Sequence, residues 1–181
     1  ERLNSNDRHI CISRPRRFGK SMAANMLVAY YSRNCDSKEL FSSLAIADTP
    51  DFEDHLNKYN VIHLDMTRFA SKAPDVKGMI DRLELTLKQE LSELCADISY
   101  PDFYSSDEIL TLIYNKHRIP FVFIIDEWDC VFRIHKNDTE GQTAYLDYLK
   151  ILLKDRPYGH TSCKEIRSAF CSEYVLRVFH Y

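Results

Sequence analysis

Two short groups of residues in this chain could do chemistry on a phosphate. The first is Gly19-Lys20-Ser21, placed between a short apolar run and a helical pattern. Backbone amides at a helix N-terminus point at anions and carry partial positive charge. Gly19 lets the backbone come close, Lys20 supplies an ammonium for β- and γ-phosphates, and Ser21 supplies a hydroxyl for Mg²⁺. The second group is Asp126-Glu127, directly after the apolar run Phe121-Val122-Phe123-Ile124-Ile125. A carboxylate at the C-terminal end of a parallel strand faces the crevice where ligands bind. There Asp126 suits a magnesium ion, together with Ser21, and Glu127 suits orienting or deprotonating a water. The competing readings are a chance tripeptide opening a helix, and turn or cap acids closing a buried strand.

The two groups strengthen one another. The usual phosphate-loop pattern is Gly-x-x-x-x-Gly-Lys-[Ser/Thr] between strand and helix. Here Arg14-Pro15-Arg16-Arg17-Phe18-Gly19-Lys20-Ser21 keeps its end and has Arg14 at the first glycine's position. That changes the loop's entry, not the phosphate contacts. Arg14, Arg16 and Arg17 add charge for a bound triphosphate, or are solvated surface charge. The aspartate-closed strand is a Walker B pattern, and the lysine-tipped loop is the matching Walker A. No Asn-Lys-x-Asp guanine motif occurs, so the expected nucleotide is ATP. Asp129 reads as a turn or cap residue, Trp128 as packing, and His63 as a packed or partly exposed histidine on a strand.

These groups need a scaffold, and the pattern of the chain supplies one. His9–Ser13 is a β-prone run ended by Pro15. After Gly19 a helix is expected, with Met22, Met26, Ala29 and Tyr30 on one face. Phe41, Leu44 and Ile46 form a short packing segment, and residues 51–59 read as a short helix. Val61–Asp65 is a second strand. Met79–Ala96 is an amphipathic helix with Ile80, Leu83, Leu87, Leu91 and Leu94 in step. Asp107 is expected to cap a helix to Asn115, and a last helix covers about 142–154. Residues 121–125 are apolar on both faces, as a central parallel strand is. Alternating strands and helices predict an α/β fold. Specifically, it is a P-loop NTPase three-layer sandwich with a mainly parallel sheet of the additional-strand type, the Val61–Asp65 strand lying between the phosphate-loop strand and the acid-bearing strand.

Composition is that of an ordinary globular domain: 181 residues, 45% hydrophobic and 28% charged. A net charge of -3 gives no support to nucleic-acid binding. No apolar run is long enough to span a bilayer. The six cysteines form no Cys-x-x-Cys pair and read as reduced, mostly buried thiols of a cytoplasmic protein. The histidines show no metal-ligand spacing. The first residue is Glu, read as a trimmed N-terminus.

The arginine-rich loop Arg14–Ser21 and the run Ile125-Asp126-Glu127-Trp128-Asp129 together resemble the bacterial and archaeal AAA-ATPase-like proteins, relatives of the archaeal ATPase group. The likeness extends through Phe41, Tyr59–Leu64 and Leu149–Tyr158, covering about residues 9–158. It implies ATP as the bound nucleotide with Mg²⁺, and ATP hydrolysis with Glu127 and Lys20 as catalytic residues. It places nucleotide contacts at Arg14, Pro15, Arg16, Arg17, Phe18, Gly19, Lys20 and Ser21, and metal contacts at Ser21 and Asp126. The missing first glycine is then a family trait. Many members also carry a nuclease-like domain of the PD-(D/E)xK type, and none is visible here. Residues 1–158 are thus expected to form the ATPase-like domain, incomplete at its C-terminal side. Residues 159–181 read as a divergent tail, or as the product of truncation or a shifted frame, with no sensor strand. The alternative function is a nucleotide-dependent switch or interaction module with little hydrolysis, acting with a protein partner or as a homo-oligomer. A nucleic-acid-associated role in a mobile element or in defence rests on the family analogy alone.

Overall fold

The computed structural model describes residues 9–11, 19–153 and 174–179; of 9–11 and 174–179 only the backbone course is described. The chain is a mixed helix and strand protein, compatible with the α/β class. It divides into two compact units. Among the described residues, one holds those up to Leu64, 119–126 and the last strand; the other holds 65–118 and 127–153.

The first unit is built on a four-stranded sheet. Its strands are β1 (His9–Cys11), β2 (Asn60–Asp65, reaching one residue into the second unit), β3 (Phe121–Asp126) and β4 (Tyr174–Phe179). Their order in the sheet is β1-β4-β3-β2. Every residue of β3 is buried, whereas β2 alternates buried and more open positions. This is why β3 lies inside the sheet and β2 at its edge. The strand between β1 and β3 is therefore β4, from the C-terminal tail, and not Val61–Asp65 as the sequence suggested. β4 runs antiparallel to both neighbours, pairing Ile10 with Leu176 and Ile124 with Leu176. The expectation of a mainly parallel sheet fails at this strand.

Helix α1 (Lys20–Tyr31) packs on β3. Its buried face is Ala24, Tyr30 and Tyr31, while Met22 is 69% and Met26 43% exposed. The apolar stripe expected through the methionines is thus rotated toward the aromatic end. Tyr30 and Tyr31 meet Phe41 from α2 (Lys38–Ser42), Phe52 from α3 (Phe52–His55), and Tyr59 edge-on or tilted. Such ring pairs add to the burial term. The Tyr30 hydroxyl donates to the Phe52 carbonyl at 3.0 Å. α3 is shorter than the 51–59 helix expected: the chain turns extended at its C-cap Leu56 (ψ 118°), and Asn57 follows left-handed at φ 56°. Asn57 Nδ2 then donates to the carbonyls of Ala29 (3.0 Å) and Ser32 (2.9 Å), which the end of α1 leaves without helical partners.

The second unit is helical. It comprises α4 (Met66–Ala70), α5 (Val76–Leu94), α6 (Ser106–His117), α7 (Cys130–Ile134) and α8 (Thr139–Leu152). α5 starts where the Asp75 carboxylate accepts from Gly78 N at 2.7 Å. It buries Val76, Met79, Leu83, Leu87 and Leu91 at helical spacing. α6 and α8 cover this stripe with Ile109, Leu110 and Ile113, and with Tyr145, Leu149 and Leu152. The cap of α6 is Ser105, not Asp107: Glu108 reaches back to accept from Ser105 N at 2.9 Å. Glu84 joins three helices, accepting from Ser106 N at 2.7 Å and from the Tyr148 hydroxyl at 2.8 Å.

Candidate functional site

The residues after the phosphate-loop run begin with Gly19, at φ 71° and ψ 23°. Among the described residues a Cβ there would meet nothing within 4 Å, and the left-handed backbone is what favours glycine. This turn feeds α1, whose first helical bond runs from Ala23 N to Gly19 O at 2.9 Å. Gly19, Ser21 and Met22 are exposed, and the first turn carries no acidic residue. The start of α1 is thus an accessible set of amides suited to an anion. Lys20 is the first helical residue and partly exposed.

Asp126 closes β3 and is buried, at 6% exposure. Ser21 Oγ donates to Asp126 Oδ2 at 3.1 Å, linking positions 105 residues apart. The other oxygen, Asp126 Oδ1, is buried and has no hydrogen-bond partner among the described residues. An unpartnered buried carboxylate oxygen is costly, and a hard cation would satisfy it. A hydroxyl and a carboxylate at this spacing are two of the oxygen ligands magnesium uses. The sequence-derived pair Ser21 and Asp126 is therefore brought together.

Glu127 follows at φ 54°, a left-handed conformation uncommon for a residue with a side chain. Its strain, on the order of 1–3 kcal/mol, is held by local bonds in the second unit. Cys130 N donates to Glu127 O at 2.9 Å. The Arg133 guanidinium bonds the Glu127 carboxylate through Nη2 and faces Asp129 Oδ2 from Nε at 3.4 Å. Asp129 stands at the N-cap position of α7, and its side chain makes no capping hydrogen bond. Trp128 is buried against Phe132, and its carbonyl accepts from the Tyr145 hydroxyl at 2.9 Å. Burial pushes the Cys130 thiol up to about 12, despite Arg133 nearby. His63 is exposed on β2.

Arg133 escaped the sequence reading. An arginine six residues after a glutamate, in a stretch with no helical pattern of its own, carries no spacing signal. Arg14, Pro15, Arg16, Arg17 and Phe18 lie outside the described residues.

A family model described as Predicted AAA-ATPase matches residues 1–166. The chain belongs to this AAA-ATPase-like family. No curated protein and no solved structure matches the chain significantly. Among the described residues, no helix is long and apolar enough to cross a membrane.

Proposed function

We propose that this chain binds ATP with Mg²⁺ and hydrolyses it. The observation that carries the reading is the Ser21–Asp126 hydrogen bond, with Asp126 Oδ1 buried beside it and without a partner among the described residues. Ser21 Oγ and Asp126 would hold the ion, which neutralises charge on the β- and γ-phosphates. Lys20 and the backbone amides of the Arg14–Ser21 loop, other than Pro15, which has no N–H, would bind those phosphates, with Arg14, Arg16 and Arg17 adding positive charge. Glu127 would orient and deprotonate the attacking water.

One observation favours a second reading, a nucleotide-binding switch with little turnover. The Glu127 carboxylate is already bonded by Arg133, so it is engaged before any water reaches it. Both readings are tested by nucleotide binding and phosphate release in the parent and three variants. Lys20→Ala should lose Mg·ATP binding. Glu127→Gln should keep binding and lose at least about 100-fold in phosphate release. A parent that binds ATP without turnover, and gains turnover in Arg133→Ala, is a switch. A parent that binds no ATP sinks both.

A further inference from the structure

Away from these residues, the ends of α5 and α6 bring together three ligand types that no spacing in the sequence announces. Cys95 is the C-cap residue of α5, Asp97 lies in the turn that follows, and His117 is the last residue of α6. Cys95 Sγ, a carboxylate oxygen of Asp97 and a ring nitrogen of His117 all lie within 4.8 Å of one another. Cys95 is buried and Asp97 is exposed. His117 Nε2 is shielded from solvent, has no hydrogen-bond partner among the described residues, and stands 3.5 Å from Asp97 Oδ1. The second carboxylate oxygen, Oδ2, is held by Lys116 Nζ at 2.6 Å, and the same ammonium donates to the Asp97 carbonyl at 2.7 Å. Lys116 thus fixes the carboxylate and leaves Oδ1 turned toward the imidazole. Two helix C-termini meet here, and their partial negative charge favours a cation.

We propose that Cys95, Asp97 and His117 form a zinc site that clasps the ends of α5 and α6. Sulfur, imidazole and carboxylate at one point are a zinc donor set, with bonds of about 2.0–2.3 Å. Tetrahedral bonds of that length put donors roughly 3.3–3.8 Å apart, so side-chain rotation within the present cluster closes the site. The Cys95 thiol gives its proton to solvent as the sulfur–metal bond forms. Water, which reaches the exposed Asp97, takes the fourth position. Lys116 acts as a positioning residue through Asp97. The competing account is an ion pair between His117 and Asp97 beside an inert thiol.

Elemental analysis of the desalted whole chain, purified with zinc, should find about one zinc per chain, as one three-ligand site requires. After chelator stripping, Co²⁺ should produce the near-ultraviolet thiolate-to-cobalt band and the visible bands of tetrahedral cobalt. Cys95→Ser should abolish the thiolate band, and Cys35→Ser should retain it. Lys116→Ala should weaken zinc by roughly 10-fold. Asp97→Asn changes an exposed side chain and keeps the test open if Cys95→Ser fails to fold; it should weaken zinc at least about 10-fold with unchanged circular dichroism. Absence of a cobalt band in the stripped parent, its survival in folded Cys95→Ser, or unaltered affinity in Asp97→Asn would overturn the site.

Discussion

The two units of this chain hold themselves together by different means. The second is organised by aliphatic periodicity: one long helix presents Val76, Met79, Leu83, Leu87 and Leu91, and its neighbours cover them. The first is organised by aromatic rings and polar links between distant pieces of chain: Tyr30 to Phe52, Asn57 to the end of α1, Ser21 to Asp126. The candidate chemistry follows the same division. Asp126 ends a buried strand in the first unit with one oxygen unpartnered, whereas Glu127, the next residue, turns left-handed and bonds Arg133 in the second. The strand end keeps a buried carboxylate oxygen without a partner among the described residues; the helical unit provides a cation that engages the next carboxylate. Adjacent carboxylates in sequence therefore have opposite local chemistry.

The largest effect should come from breaking the aliphatic stripe. Leu83 is fully buried, and Leu83→Ala should cost about 3 kcal/mol in urea denaturation, from lost transfer energy and an unfilled cavity. A loss below about 1 kcal/mol would mean the stripe is not what holds the helical unit. A smaller effect should appear only at high pH. Burial, and then Glu84, raise the Tyr148 hydroxyl far above the ordinary 10.0. The folded state therefore keeps a proton that the unfolded state gives up, and this contribution is complete below pH 10 and lost as pH rises above it. Tyr148→Phe should make the fall in stability above about pH 10 shallower by about 1.4 kcal/mol per pH unit. An identical slope in parent and variant would show that Tyr148 ionises freely in the folded protein.

The same contrast explains what the sequence made legible. α5 was readable because a buried stripe on a long helix leaves a period in the chain, and β3 because a strand buried on both faces is a continuous apolar run. That Ser21 and Asp126 meet was readable because each motif carries its own local chemistry. The face of α1 was not: Met22 and Met26 have the apolar character of a core stripe, yet the rings of Tyr30 and Tyr31 decide which side packs. The place of β4 between β1 and β3 was not legible either, since strand order is set by pairing across the whole chain. Arg133, Asn57 and the Cys95–Asp97–His117 cluster share that difficulty. Each acts through a contact made after folding, with no periodic or motif signature.

Asn57 gives the smallest and most local test of the polar linkage in the first unit. Its backbone is left-handed, which asparagine tolerates better than most residues. Its amide hydrogens reach the carbonyls of Ala29 and Ser32, while Oδ1 accepts from Ser37 N at 3.2 Å. Asn57→Ala removes these bonds and places an alanine in a strained conformation, whereas Asn57→Gly removes the same bonds and relieves the strain. Alanine should therefore cost about 1–2 kcal/mol and glycine somewhat less, the difference being the backbone term. If the two variants were equally destabilised, the side-chain bonds alone would account for the loss. If neither were destabilised, the end of α1 would be held by its aromatic packing, and the first unit would resemble the second more closely than its hydrogen bonds imply.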